Sequence, residues 1–199
     1  MMVSIADYGV GNLHSISKAI ERSGAKIRVV KDMSRLAGSE CIVFPGVGAF
    51  GAAVEKLGPA SESIRRSITS GTPALGVCLG MQIMFERSEE SPGDGLSVFK
   101  GEVERLSAAR VPHMGWNEVS WDDDPLFDGV PPGSEFYFAN SYVCRPEEEV
   151  TIGETEYGER FASAVRKGAV CGVQFHPEKS GLPGLKVLSN FVKIAEDAI

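Results

Sequence analysis

A cysteine flanked by glycines, in Gly76-Val77-Cys78-Leu79-Gly80, is the feature of this sequence best suited to covalent chemistry. It follows the apolar run 73–77 and precedes residues 81–86, which we predict to be helical. A strand, a tight turn carrying a nucleophile and a helix together form the nucleophile-elbow pattern. N–H groups at the start of such a helix favour the thiolate, which is the reactive form of cysteine. Cys78 is therefore a candidate nucleophile, and the alternative is a buried structural thiol.

A histidine and a glutamate near the end of the chain could activate this thiol. His176 follows an apolar run, and Glu178 comes two residues later. Residues i and i+2 of an extended segment point to the same side, so Glu178 is expected to hold one imidazole nitrogen while the other faces Cys78. These three residues are predicted to form a catalytic triad. Of the remaining histidines, His14 is expected on a helix surface, and His113 is the competing base.

Two glycine-containing loops follow predicted strands. Pro45-Gly46-Val47-Gly48-Ala49-Phe50 could present backbone N–H groups to an oxyanion. It could instead hold a phosphate, but it lacks the Lys-Ser/Thr pair of a P-loop. The loop at residues 7–12 has two glycines but not the third of a dinucleotide-binding fingerprint, so that function is rejected.

The secondary-structure pattern predicts an α/β fold with a mostly parallel central sheet flanked by helices. In the first half, apolar strands without polar alternation are separated by helices, which is typical of a parallel sheet covered on both faces. The second half is richer in strands, which suggests antiparallel additions to the sheet. Predicted strands cover 3–6, 26–30, 41–44, 73–77, 98–103, 116–121, 135–138 and 161–166, and an amphipathic helix ends the chain. Ligands of parallel α/β sheets bind at the carboxyl ends of the strands, where the glycine loop, Cys78 and His176 should meet.

Composition limits the class of protein. The 199 residues, of which 43% are hydrophobic, suit one domain spanning 1–199. A net charge of -7 argues against nucleic acid and anionic membranes as partners. The N-terminus lacks the pattern of a signal peptide, and no apolar run is long enough to span a bilayer. The four cysteines have no CxxC spacing, so we expect reduced thiols in the cytoplasm, with no metal and no cofactor.

The elbow continues to Gln82, and together with His176-Pro177-Glu178 it resembles the class I (triad) glutamine amidotransferases. This resemblance implies a flavodoxin-like glutamine amidotransferase fold and a glutaminase that works through a glutamyl thioester on Cys78. It also implies an oxyanion hole and a glutamine-binding site. The residues that the resemblance assigns to them are Val47, Gly48, Leu79, Gln82, Asn140, Ser141 and Tyr142.

Further motifs resemble the glutaminase subunits of imidazole glycerol phosphate synthase, from the first strand to the end of the chain. They are Asp7-Tyr8-Gly9-Val10-Gly11-Asn12-Leu13, Pro45 to Phe50, Pro112-His113-Met114-Gly115-Trp116-Asn117 and Phe175 to Ser180. The resemblance implies a heterodimer with a (β/α)8-barrel cyclase. That partner uses the ammonia to convert a ribulosyl-formimino nucleotide (PRFAR) to imidazole glycerol phosphate and aminoimidazole carboxamide ribotide (AICAR).

The same resemblance puts three residues near the cyclase interface, namely Asn12, Tyr137 and Lys179. One position departs from the family pattern, because Ala139-Asn140 stands where Val-His is usual. This departure puts in doubt any interface or signalling role that the family's histidine side chain performs.

Three other functions remain as alternatives. The chain could serve another amidotransferase, for anthranilate or pyridoxal phosphate synthesis, although these do not explain the motifs around Asp7 and Pro112. A cysteine peptidase of the same fold would use the same triad chemistry. A catalytically silent binding subunit would not need the triad at all.

Overall fold

A computed structural model describes residues 1–9 and 13–199 of the chain. Strands and helices alternate through its first half. The strands are β1 (Met2–Ala6), β2 (Lys26–Val30), β3 (Cys41–Phe44) and β4 (Ala74–Val77). The helices are α1 (Leu13–Glu21), α2 (Phe50–Leu57), α3 (Ser61–Thr69) and the short α4 (Leu79–Gln82).

The second half consists mostly of strands and ends in one long helix. The strands are β5 (Arg87–Ser88), β6 (Ser91–Asp94), β7 (Gly101–Arg105), β8 (His113–Glu118), β9 (Ser120–Trp121), β10 (Glu135–Asn140), β11 (Tyr142–Pro146), β12 (Thr151–Tyr157), β13 (Glu159–Lys167) and β14 (Val170–Val173). The final helix is α5 (Gly181–Asp197).

The main sheet has the predicted mixed character. Its parallel part has the order β2-β1-β3-β4-β14, which is a flavodoxin-like arrangement. Antiparallel pairing begins where β13 joins β14 and continues through β11 to β7. The predicted fold class is thereby confirmed.

Apolar side chains cover both faces of the parallel strands inside the edge strand β2. Val43 and its neighbours on one face pack against α1 and α5, whereas Ile42 and Phe44 on the other pack against α2 and α3. Successive residues of a strand point to opposite faces, so strands buried on both sides require continuous apolar runs. This is why β3 has the bounds that the sequence predicts. In the described residues, no helix combines the length and the apolar character needed to cross a membrane.

Two predicted elements between residues 81 and 103 have other bounds in the structure. The helix expected over 81–86 ends at Gln82, because the carbonyls of Ile83 to Glu86 accept hydrogen bonds from amides of residues 95–99. Because the amides of Val98 and Phe99 are used in these bonds, the strand predicted over 98–103 begins only at Gly101. These contacts join residues nine to fifteen positions apart, so local periodicity does not contain them.

The predicted strands at 116–121 and 135–138 lie mostly outside the main sheet. β8 and β10 instead form a separate two-stranded antiparallel ribbon, in which Trp116 is paired with Tyr137. Only β9, at the end of the 116–121 segment, pairs with a main-sheet strand, β12. We call the β8–β10 pair the ribbon below.

Candidate active site

The carboxyl ends of three adjacent parallel strands bring the predicted site residues together. β3 leads into the loop 45–48, β4 leads directly into Cys78, and β14 leads through two residues to His176. Their order β3-β4-β14 makes β4 the central strand, so the cysteine lies between the loop and the histidine.

Cys78 occupies a backbone conformation that is rare for a residue with a side chain. Its φ of 52° and ψ of -108° lie outside the regions favoured by L-residues. Its N–H donates to the Val173 carbonyl at 2.7 Å, and its carbonyl accepts from the N–H groups of Met81 and Gln82. Backbone bonds on both sides therefore hold the strained turn that presents the thiol.

Glycines allow the loop 45–48 to pack directly against the elbow. A Cβ on Gly46 would lie 1.9 Å from the Val77 carbonyl oxygen and 2.4 Å from the Leu79 nitrogen, and one on Gly80 would lie 1.9 Å from the Phe44 oxygen. Only residues without a Cβ permit these approaches. The buried Tyr8 hydroxyl also donates a hydrogen bond to the Pro45 carbonyl, which anchors the start of the loop.

The imidazole of His176 is locked by Glu178. Its Nδ1 lies 2.9 Å from Glu178 Oε1, and the two side chains are 1% and 6% exposed. Glu178 reaches the ring from a 3₁₀ turn over Pro177–Lys179, not from the extended segment that we predicted. The backbone N–H of His176 donates to the Tyr137 carbonyl at 2.8 Å, so the ribbon helps to position the base.

The second ring nitrogen of His176 is available to the thiol. Nε2 is buried and makes no hydrogen bond of normal geometry with any described residue. Burial alone lowers the pKa of His176, but the interactions with Cys78 and Glu178 outweigh it and raise the pKa well above the ordinary value. The two interactions therefore favour the imidazolium form of His176.

A cavity of about 170 Å³ opens in front of Cys78. Every residue that the sequence assigned to the oxyanion hole and to glutamine binding lines it: Val47, Gly48, Leu79, Gln82, Asn140, Ser141 and Tyr142. Gln82 Nε2 and Asn140 Nδ2 both donate to the Tyr142 carbonyl, at 3.1 and 3.0 Å. The Oδ1 atom of Asn140 is buried and lacks a hydrogen-bond partner among the described residues.

Sequence reasoning missed two polar residues of this site. Glu90 lines the cavity, and its Oε2 accepts the N–H of Phe50 at the start of α2 at 2.7 Å. No motif marks it, because it reaches the site from the turn between β5 and β6.

The second missed residue, Gln174, is fully buried, with Nε2 3.5 Å from Cys78 Sγ. Its position two residues before His176 was the available signal, because alternate residues share a side.

The other two histidines are not placed to act on Cys78. His113 is not among the residues that line the cavity. It is 2% exposed and stacks between Phe138 and Tyr157, at 4.7 and 4.0 Å between ring centroids. Burial lowers the pKa of His113 to about 4, so the ring is neutral at physiological pH. His14 lies exposed on α1, as predicted.

Two of the three predicted interface residues, Tyr137 and Lys179, lie next to the triad, with the Tyr137 ring centroid 6.4 Å from that of His176. Lys179 Nζ is 5.5 Å from the centroid of the Tyr137 ring, which also packs edge-on against Trp116 at 6.1 Å. Asn12 lies outside the described residues.

Comparisons with known proteins give the family of the chain. The family model described as glutamine amidotransferase class-I matches residues 4–195. The chain is 48% identical to the HisH subunit of imidazole glycerol phosphate synthase from Thermococcus kodakarensis, over 97% of this chain and 100% of that protein. It is 46% identical to the HisH subunit from Methanocaldococcus jannaschii, with the same coverage of both chains.

A solved structure described as a glutamine amidotransferase shares the fold. It has a TM-score of 0.77 at 20% identity and covers 98% of each chain. At that identity the likeness shows the fold alone. The family model and the full-length relatives go further, and this chain belongs to the class-I glutamine amidotransferases and, within them, to the HisH subunits of imidazole glycerol phosphate synthase.

Proposed function

We propose that this chain hydrolyses glutamine with Cys78, His176 and Glu178, and that it passes the ammonia to a cyclase subunit. The observation that carries the proposal is the buried His176–Glu178 pair next to a strained cysteine, at the mouth of a cavity. The proposal takes the whole chain, 1–199, as one glutamine amidotransferase domain.

The reaction has two halves. The Cys78 thiolate attacks the side-chain carbonyl of glutamine, and the resulting oxyanion accepts hydrogen bonds from the Leu79 N–H and from N–H groups of the loop at Val47 and Gly48. His176 gives its proton to the amide nitrogen, the C–N bond breaks and ammonia leaves, and the glutamyl group remains on Cys78 as a thioester. His176 then takes a proton from water, which attacks the thioester and releases glutamate and the thiolate. Glu178 keeps the imidazole in one orientation throughout.

The cavity also suits the amino-acid end of glutamine. Glu90 supplies a carboxylate that can pair with the α-ammonium group of the substrate. Gln82, Asn140, Ser141 and Tyr142 supply the polar wall opposite the loop 45–48. Asn140 fits this role without the usual family histidine, because its unpartnered Oδ1 is free to accept a hydrogen bond.

A partner is expected because the relatives are named as subunits of a synthase. Ammonia released into water would be protonated and lose its nucleophilicity, so an enclosed path to a docked (β/α)8-barrel cyclase is favoured. Met114 and Trp116 on the ribbon are 64% and 53% exposed. Exposed apolar side chains next to charged ones are typical of a docking surface, here with Tyr137, Lys179 and Asn12 as its other proposed members.

One reconstitution tests the proposal. The chain is mixed with a cyclase subunit, glutamine and PRFAR, and glutamate, imidazole glycerol phosphate and AICAR are measured together. We expect the products in equal amounts, with little glutamate from the chain alone.

Cys78→Ala should abolish synthesis from glutamine but not synthesis from added ammonia, and Cys171→Ala, which changes a buried thiol on β14, serves as the control. Synthesis from glutamine by the Cys78→Ala complex would contradict the proposal. Cleavage of peptides without hydrolysis of glutamine would favour the peptidase alternative.

A further inference from the structure

A buried glutamine connects the nucleophile to the wall of the glutamine cavity. Gln174 is fully buried, one residue beyond β14. Its Nε2 lies 3.5 Å from Cys78 Sγ, and its Oε1 accepts a hydrogen bond from Gln82 Nε2 at 3.2 Å. Gln82 Nε2 also donates to the Tyr142 carbonyl at 3.1 Å. The result is a chain of hydrogen bonds from Tyr142 through Gln82 and Gln174 to Cys78.

The first member of this chain sets the orientation of the others. A backbone carbonyl only accepts hydrogen bonds, so the Gln82 amide must turn its NH2 group towards Tyr142. That NH2 group also faces Gln174, which must therefore present its oxygen to Gln82. The NH2 group of Gln174 is then directed at the sulfur of Cys78. The two amides cannot be flipped without leaving two donors or two acceptors in contact.

We propose that Gln174 donates a hydrogen bond that favours the thiolate of Cys78 and that it fixes the Gln82 amide for glutamine binding. A donor to a charged sulfur is stabilised more than a donor to a neutral one, because charge-assisted hydrogen bonds are the stronger class. The helix α4 has only four residues, Leu79–Gln82, so its dipole contributes little to stabilising the thiolate. The hydrogen bond from Gln174 supplies that stabilisation instead.

The second consequence concerns Gln82. Both N–H groups of its amide are used within the protein, by Tyr142 and by Gln174. Its Oε1 is therefore the atom left to interact with a ligand in the cavity that Gln82 lines. Gln174 thus contacts both the residue that binds glutamine, Gln82, and the nucleophile, Cys78. This part of the inference rests on the proposed glutaminase function.

The test is the pH dependence of Cys78 alkylation in the full chain. Iodoacetamide reacts with the thiolate, so its rate against pH reports how readily Cys78 ionises. Gln174→Met removes the donor at nearly constant volume, and Gln174→Glu replaces the donor by an oxygen. Loss of one hydrogen bond to a charged group should move the midpoint of the Met variant upward by about one unit. The Glu variant should move it further, because its carboxylate repels the thiolate.

The control is Ser163→Ala. Ser163 is fully buried and its carbonyl accepts the Gln174 N–H, but its hydroxyl has no partner among the described residues. This variant disturbs the same part of the core and should keep the wild-type midpoint. Mass spectrometry assigns the label to Cys78, and circular dichroism checks the fold of each variant. An unchanged midpoint in either folded Gln174 variant would overturn the proposal.

Steady-state kinetics of the reconstituted complex provide the second measurement. Gln174→Met should lower kcat by about tenfold and also raise KM for glutamine, whereas Gln82→Met should act mainly on KM. The two changes share one hydrogen-bonded network, so their effects on KM should not multiply in the double variant. Fully multiplicative effects would overturn the role in orienting Gln82. Absence of glutamine hydrolysis in the wild-type complex would instead refute the proposed function, while the alkylation profile would still test the hydrogen bond to Cys78.

Discussion

His176 lies between Cys78 and Glu178, and each of them changes how readily the imidazole releases its proton. Burial opposes the charged ring, whereas Cys78 and Glu178 stabilise it. Because the pKa of His176 is raised, its ion pairs stabilise the folded state at pH values below about 6.5, and this stabilisation is lost as the pH rises through the folded pKa. The ring is thereby kept protonated for its first task in the proposed reaction, which is to give a proton to the amide nitrogen that departs as ammonia.

Removing the interaction with Cys78 should lower the pKa of His176. Cys78→Ser replaces the thiol by a hydroxyl that does not ionise, so burial is then opposed by Glu178 alone. The measurement is an NMR titration of the His176 ring, with the signal of the exposed His14 as an internal reference. An unaltered His176 titration in the serine variant would show that Cys78 does not raise the pKa of the ring.

The buried ring of His113 should make stability depend on pH in the direction opposite to that of His176. Its pKa is lowered to about 4 by burial, so between pH 6.5 and 4 the unfolded chain binds a proton that the folded chain excludes. The free energy of unfolding should therefore fall as the pH falls through this range. The free energy of unfolding, measured by urea denaturation at pH 7 and pH 4.5, should fall less between these two values for His113→Gln than for wild type. Equal losses in the two proteins would contradict the assignment.

At the scale of elements, the elbow and the loop 45–48 behave as one unit, since the loop approaches α4 more closely than any side chain would permit. Gly46→Ala would force the loop away from the Leu79 N–H. Loss of one oxyanion donor lowers kcat by about 10²–10³, so we expect a fall of about hundredfold in glutamine hydrolysis by the complex.

A matched control for this variant is Gly38→Ala. A Cβ on Gly38 meets nothing within 4 Å, so this change should leave both kcat and stability unaltered. A Gly46→Ala complex with wild-type kcat would show that the loop does not supply an oxyanion donor.

The same elements show what sequence alone could predict. β3 was predicted with its observed bounds, because a doubly covered parallel strand requires an uninterrupted apolar run. The edge strand β2 was also predicted with its observed bounds, although Lys26 and Arg28 interrupt its apolar residues. Residues 81–86 have an apolar pattern too, but their carbonyls are used by a distant segment, so the helix stops at Gln82. Such competition between local and long-range hydrogen bonds is not visible in a periodicity.

In the candidate site, too, the sequence predicts what depends on strand order and does not predict what depends on long-range contacts. Cys78, His176 and the glycine loop come directly after strands, so the sheet topology predicts their convergence. Gln174 also follows a strand, but its contact with Cys78 depends on side-chain packing inside the core. Glu90 could not be assigned from strand ends, because it depends on how a short hairpin folds over the cavity.

At the scale of the whole molecule, the exposed surface of the ribbon is the feature to test. Large aromatic residues near the centre of an interface commonly contribute about 2 kcal/mol or more when truncated. Trp116→Ala should therefore weaken binding to the cyclase about thirtyfold or more, as measured by isothermal titration calorimetry. Val29→Ala is the control, because Val29 is 44% exposed on the edge strand β2. Equal affinity for the Trp116→Ala variant and wild type would place the cyclase elsewhere.

The hydrogen bond from the His176 N–H to the Tyr137 carbonyl makes one backbone amide a reporter for the whole assembly. Hydrogen–deuterium exchange at this amide requires the ribbon to separate from the segment after β14. A partner that covers the ribbon would slow such openings, and a ligand of that partner could alter them from a distance. Exchange at a single amide would then reveal the state of the complex without any turnover of substrate.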